Sequence, residues 1–359
     1  MKVLLYGEPL HPGTCIWSYH ETLVEMGHEV VHVDSWGGMD HYRTELLWRV
    51  WWKATRSVLE SHRRAHVARL IDAAESTRPD LILVLKGMHP GPQDVRRLKR
   101  TGAWVAIINH DDFFSLNPAN VSVAQRTALP EWDYVFACRE ANVDEVRPHN
   151  PKVEFFRFAY YPRIHCPVPV DPTAEPQWVS DIAFVGTWEG ERAAQMEQLV
   201  RRVDANYAIW GGQWHKLAPW SPLRRHVRGS EIYLEDQCRA IGAAKLNLGF
   251  LRKKNRDFFT TRTFEIPACN GVLLAERTAL HQSIYREGVE ADFFDAADPD
   301  ELAAKVRRLL TDDTHRESMR RAGLEAVRRG KHTYRDRLDR LFEVYESETA
   351  SRKREGVRV

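Results

Sequence analysis

The sequence predicts an α/β protein built from two doubly wound, Rossmann-like domains. Three observations predict it. Short apolar runs alternate with helical stretches. The alternation halts at a proline-rich stretch and then restarts. The 359-residue length suits two domains better than one. The runs are apolar at nearly every position rather than at alternate ones, which suits a parallel sheet covered on both faces.

In chain order, "KVLLYG" is a strand ending at Gly7, followed by a helix from about Thr14 to Met26 and the strand "HEVVHVD". Tyr42 to Ser76 reads as a long helical stretch. Its apolar residues, among them Leu47, Val50, Trp51, Ala54, Val58, Ala65, Ala68 and Ile71, recur at spacings of mostly three, four or seven. "PDLILVLKG", "AWVAIINHDD" and "WDYVFACR" are the third to fifth strands and "KVEFFRFAY" the sixth. Residues 166–178, "CPVPVDPTAEPQW", read as a linker or boundary. Domains over 1–167 and 177–333 follow. In the second, the strands are "SDIAFVGTW", "ANYAIWGG", "LNLGF" and "GVLLAE", with helices between and after them. Two such domains facing a central cleft are expected, with ligands at the carboxyl ends of the strands.

Composition narrows the function. A net charge of +2 argues against a broad nucleic-acid surface. The five cysteines, Cys15, Cys138, Cys166, Cys238 and Cys269, have no metal-knuckle or redox spacing, so a reduced, cytoplasmic setting is expected. No apolar stretch approaches the ~20 residues of a membrane span, which leaves at most peripheral membrane contact. The membrane-suggestive spot is "LLWRVWW".

The densest stretch is "TTRTFEIPACNGVLLAE", Thr260 to Glu276. If Arg262 to Ala268 is a helix, Thr260, Thr261 and Arg262 stand at its start, where free N–H groups and the dipole favour a phosphate. Arg262 adds a forked, charged donor. Glu265, one turn along, can accept from both hydroxyls of a ribose. The other reading pairs Glu265 with Arg262 on the helix surface. Upstream, "FVGTWEGER" places Gly186, Thr187 and Arg192 after a strand, as a second phosphate contact or as an ordinary turn.

The ordered set "SDIAFVGTWEGER", "AAKLNLGF", "TTRTFEIPACNGVLLAE", "DPDELAAKVRRLL" and "HTYRDRLDRLF" resembles the C-terminal half of GT-B glycosyltransferases, nearest to the CgeB-like (spore maturation) group. The resemblance covers residues 180–345, and the N-terminal half fits more loosely. It implies a nucleotide-sugar co-substrate, UDP- or GDP-linked, on the C-terminal domain, and no other cofactor. The acceptor, a small molecule, a glycan or a nucleic-acid base, is implied on the N-terminal one. It matches Thr260, Thr261 and Arg262 to diphosphate contacts and Gly186, Thr187 and Arg192 to the second phosphate side. It also implies that residues 334–359 return to the N-terminal domain, and that no metal is needed. Such enzymes often carry two acids eight residues apart, the first near the donor sugar. Here these are Asp257 and Glu265, with Asp at a position where Glu is usual.

Sugar transfer also calls for a base, from a loop after an N-terminal strand. Candidates are Glu8 and His11, then His89, then His110, Asp111 and Asp112. The last three are preferred because they leave a buried strand together; capping is the competing role for the two aspartates. Neither the choice between Asp111 and Asp112 nor the anomeric outcome is decided. The tryptophan-rich helix (Trp48, Trp51 and Trp52 beside Arg49, Lys53 and Arg56) reads first as a core-packing stripe, and otherwise as a surface for membrane, sugar or nucleic acid. "WGGQWHKLAPWSPLRRHVRG" is a donor-site lid or a packed loop. Two further functions share this architecture: a nucleotide-sugar epimerase, and a catalytically silent nucleotide-sugar-binding protein.

Overall fold

The most apolar runs, "KVLLYG", "LILVL" and "WVAIIN", form strands covered on both sheet faces. The computed structural model describes residues 1–37, 45–55, 59–115 and 121–356. Contacts divide the chain into two units: Met1–Phe158 with Lys253–Arg256 and Tyr334–Val359, and Ala159–Arg252 with Asp257–Thr333.

The first unit holds a parallel six-stranded sheet in the order β2-β1-β3-β4-β5-β6. Its strands are β1 (Lys2–Gly7), β2 (Glu29–Asp34), β3 (Leu81–Leu85), β4 (Trp104–Asn109), β5 (Tyr134–Ala137) and β6 (Val153–Phe155). One face buries Leu4, Tyr6, Ile82, Val84, Val105 and Ile107 against Val67, Leu70 and Ile71 of helix Glu60–Thr77. Helix Cys15–Glu25 contacts the C-terminal helix Tyr334–Gly356, with Tyr19 edge-on to Tyr334 at 4.8 Å.

The second unit repeats the plan, in the order β12-β11-β10-β7-β8-β9. Its strands are β7 (Ser180–Val185), β8 (Tyr207–Trp210), β9 (Val227–Gly229), β10 (Ala244–Gly249), β11 (Leu273–Glu276) and β12 (Asp292–Phe294). All neighbours are parallel, so every strand ends at the same edge. Side chains alternate between two cores, as the two-residue strand period requires. Ile182, Phe184, Leu246, Leu248 and Leu274 meet helices Gly190–Arg202 and Pro299–Thr311. Ala183, Val185, Leu273 and Ala275 meet helices Leu234–Gly242 and Arg262–Ala268.

Several expectations change. The helical stretch expected over Tyr42–Ser76 contains two helices, Leu46–Thr55 and Glu60–Thr77; Leu59, at ψ 139°, is not helical and separates them. Tyr42 and Val58 lie outside the described residues, as does Arg56. The first helix is not a core stripe, since Leu46, Leu47, Val50 and Trp51 are all exposed. The division falls at Phe158–Ala159, and the proline-rich stretch belongs to the second unit, where Val168 and Trp178 pack on its core. The cysteines are free thiols, yet the fold brings Cys238 and Cys269 to 3.0 Å between sulfurs.

Candidate functional site

In the second unit the chain runs β7, β8, β9 in one direction, then crosses to β10 on the other side of β7. The ends of β7 and β10 therefore flank the switch point, where an open parallel sheet receives a ligand. Gly186 and Thr187 follow β7, and Phe250 to Arg252 follow β10. Arg192, near the start of helix Gly190–Arg202, spans the two ends: Nη1 donates to the Thr187 carbonyl and Nη2 to the Phe250 carbonyl, both at 3.2 Å. Its Nε has no partner among the described residues. Burial lowers the Arg192 pKa, while Glu189, Asp257 and Glu276 act to raise it.

Helix Arg262–Ala268 forms over the expected residues. The Thr260 and Thr261 carbonyls accept from the N–H groups of Thr263 and Phe264, and Thr261 also accepts from Glu265 N–H. Thr260, Thr261 and Arg262 stay half-buried, while Thr263 to Ala268 are buried. Arg262 Nε donates to the Val185 carbonyl at 3.0 Å, which brings it to the end of β7. Its Nη1 pairs with Glu265. That pair is internal rather than on a helix surface: Glu265 is 6% exposed, accepts from Gln237 Nε2 at 3.2 Å and lies 3.6 Å from His165 Nε2. Burial pushes the Glu265 carboxyl up, but Arg262, His165 and Thr261 outweigh it and hold it below the ordinary value. Asp257 is half-buried, its N–H donating to the Arg252 carbonyl at 3.2 Å.

Sequence reasoning missed several neighbours. Arg252 pairs with Glu189 at 2.6 Å. Glu276, at the end of β11, is buried and accepts from Leu251 N–H at 2.9 Å. Gly211, at φ +147°, lies so close to the β7 turn that a Cβ there would fall on the Gly186 carbonyl. The "WGG" after β8 was the available signal. The tryptophan-rich loop that follows lines an open cleft of about 530 Å³ with Gly212, Trp214, Arg224, Ser230 and Glu231. Trp214 is buried, and its Nε1 donates to the Gly186 carbonyl at 2.9 Å. This part of the loop is thus packed onto the β7 turn.

In the first unit His110, Asp111 and Asp112 follow β4. The structure gives them different surroundings. Asp112 is 1% exposed and gripped by Arg256, with Nε at 2.5 Å and Nη2 at 2.7 Å. Asn142 Nδ2 and Phe114 N–H add bonds of 2.8 and 2.9 Å. Burial pushes its carboxyl up; these donors prevail and hold it below the usual range. Asp111 pairs with Lys86 Nζ, just past β3, at 2.8 Å and is half-buried. The His110 ring stacks on Phe158 at 5.7 Å, and burial, reinforced by Arg139 and Lys86, takes its pKa down to about 4 against the pull of Asp111. It is a neutral imidazole at pH 7. Glu8 and His11 are exposed, whereas His89 is buried edge-on to Trp36 and its pKa falls to about 3, through burial and then His66. Among the described residues no three His, Cys, Asp or Glu side chains form a metal-holding group, and no helix is long and apolar enough to cross a membrane.

Residues 192–343 match the model of a family described as glycosyl transferase-like. No curated protein sequence matches the chain. Several solved structures share the fold over nearly the full length. Anabaena Alr3699/HepE in complex with UDP-glucose has a TM-score of 0.63 at 13% identity, covering 97% of this chain and 100% of that one. Sucrose-phosphate synthase from Thermosynechococcus elongatus has a TM-score of 0.67 at 10% identity, covering 98% and 100%. A glycosyltransferase from Rickettsia africae has a TM-score of 0.67 at 10% identity, covering 97% and 98%. The two parallel sheets and these likenesses give the chain the two-domain, Rossmann-like GT-B fold, and with the matched region they support a glycosyltransferase.

Proposed function

We propose that the protein moves a sugar from a nucleoside diphosphate sugar, UDP-linked in first choice, to an acceptor hydroxyl or amine. The observation that carries the proposal is the pair of arginines, Arg192 and Arg262, anchored to carbonyls at the end of β7 where the strand order reverses. The UDP-glucose and UDP complexes of the Anabaena neighbour favour the uridine nucleotide. The motif order favours CgeB-like enzymes within the fold.

In this reading the bond between the anomeric carbon and the diphosphate oxygen breaks, its electron pair leaving with the diphosphate, and the acceptor oxygen or nitrogen forms the new bond to that carbon. Arg192, Arg262 and the half-buried Thr260, Thr261, Gly186 and Thr187 receive it; preorganised donors of this kind replace a metal ion in neutralising the leaving group. Glu265 holds the ribose hydroxyls and orients Arg262; Asp257 faces the donor sugar. The acceptor proton passes to His110, neutral at pH 7, or to its neighbour Asp111, which is held by Lys86. Asp112, committed to Arg256, positions their loop.

The test is thermal shift with UDP, GDP and their sugar conjugates, since a ligand that binds only the folded state raises the melting point. UDP-sugar raises it in the wild type, and Arg262→Ala and Glu265→Ala each weaken binding about tenfold or more, the loss of one charge-assisted hydrogen bond or two. Equal affinity in both variants would remove the donor site from this helix. Slow UDP-sugar hydrolysis, abolished in both, separates an enzyme from a silent binder.

A further inference from the structure

Helix Leu46–Thr55 in the first unit carries its apolar side chains outward. Leu47 is 83% exposed, Leu46 73%, Val50 56% and Trp51 42%, and Ala54 is exposed too. At 3.6 residues per turn, Leu46, Val50, Ala54, Leu47 and Trp51 fall within one arc of about 140°. Trp48 lies outside that arc and is the half-buried one, its ring 5.3 Å from His62. The apolar face is thus the side turned away from the protein. An exposed apolar cluster of this kind normally marks an interaction site.

Charge identifies the occupant. Between Leu46 and Leu59 the sequence has Arg49, Lys53 and Arg56 and no acidic residue. Arg49, which is exposed, falls on the helix beside the Leu46 edge of the apolar arc. Tryptophan, leucine and basic residues together are the composition of a helix that lies in the headgroup layer of an anionic bilayer. Two other occupants fit less well. A second copy would bring the basic residues of two helices together, with Glu45 as the nearest acid before the helix and Glu60 after it. The face is also short: a ten-residue helix is about 15 Å long, and its four exposed apolar side chains fall short of the roughly 800 Å² per partner of a stable interface. A spanning role is excluded for this helix by its length.

We propose that helix Leu46–Thr55 docks the protein on the surface of an anionic lipid membrane, with Leu46, Leu47, Val50 and Trp51 in the headgroup layer and Arg49 on lipid phosphates. The donor-site reading is independent of this.

Vesicle flotation tests it, using the full chain with phosphatidylcholine vesicles and with vesicles that also contain phosphatidylglycerol. The wild type floats with the phosphatidylglycerol vesicles and releases as salt is raised, because the charge contribution is screened. Leu47→Ser with Trp51→Ser lowers the partition coefficient about tenfold or more through lost apolar burial, and Arg49→Glu lowers it on the anionic vesicles alone. All three positions are exposed, so melting temperature stays at the wild-type value and donor affinity is unchanged. No flotation of the wild type at low salt, or equal flotation of the serine variant, overturns the proposal. So does a dimer in sedimentation velocity that the serine variant abolishes while vesicles bind neither protein.

Discussion

Arg256→Ala isolates what holds the loop after β4. Its guanidinium reaches Asp112 at 2.5 and 2.7 Å and Glu145 at 2.7 and 2.8 Å, so four bonds depend on one side chain. Without it, Asp112 keeps two donors, Asn142 Nδ2 and Phe114 N–H. Deleting one partner of a buried pair costs about 3–5 kcal/mol. Here the arginine side chain is 40% exposed. Solvent screening of that half, and the two donors left behind, bring the cost to about 2 kcal/mol. The pH dependence has a definite sign. The folded Asp112 carboxyl lies below its ordinary value in spite of burial, because its donors outweigh desolvation. The pair's contribution is therefore complete above the unfolded pKa of about 4 and is lost as pH falls through the folded value. In the variant, burial meets less opposition, the folded pKa rises, and stability is lost from a higher pH. Urea denaturation followed by circular dichroism should show a midpoint lowered by about 1 M at pH 7, with the gap narrowing at pH 3. Identical midpoints at pH 7, or a gap of the same size at both pH values, would refute the ion-pair account.

Two further outcomes follow from the second unit. Gly211→Ala places a side chain at φ +147° and against the Gly186 carbonyl, a backbone atom that cannot swing away. It should cost at least about 2 kcal/mol and lower the melting point by several degrees; a wild-type melting curve would mean the β7 and β8 turns are not in contact. His281 is buried between the Glu276 carbonyl at 2.7 Å and Thr263 Oγ1 at 2.9 Å, and burial takes its pKa down to about 4. The unfolded chain takes up that proton near pH 6.5, so stability present above pH 6.5 declines towards pH 4, by about 1.4 kcal/mol per pH unit for this one group. His281→Gln should flatten the pH dependence of the urea midpoint in that window, and an unaltered slope would place the acid sensitivity elsewhere.

Legibility in the sequence followed the range over which a residue finds its partners. β1 appears as expected because all six of its residues have their own apolar neighbours in the run. β9 and β12 were missed: each is three residues, and unlike the equally short β6 in "KVEFFRFAY", neither lies in a longer apolar run. The Thr260–Glu265 cluster stood out because it interrupts an apolar run with groups that must be satisfied locally, and Arg262 does pair three residues on. The committed state of Asp112 had no such signal: its partner Arg256 is 144 residues away, and no local pattern around "NHDD" separates a gripped aspartate from a freer one. The cysteine pair behaves likewise, since 31 residues separate Cys238 from Cys269 and neither lies in a spacing motif.

Helix Leu46–Thr55 shows the converse error. Its apolar residues recur at helical spacing, and that alone led to the expectation of a core stripe. Periodicity identifies a face that wants to leave water; it carries no information about what covers that face. The discriminating signal was in the polar residues. A stripe that packs inside a domain is usually backed by a mixed-charge outer surface, as on helix Gly190–Arg202, where Glu191 and Arg201 are both exposed while Met196 and Leu199 are buried. The segment from Leu46 to Leu59 has three basic residues and no acid, together with three tryptophans, which is a composition for a boundary between water and something negatively charged. Weighing charge composition beside periodicity would have separated the two helices before either was folded.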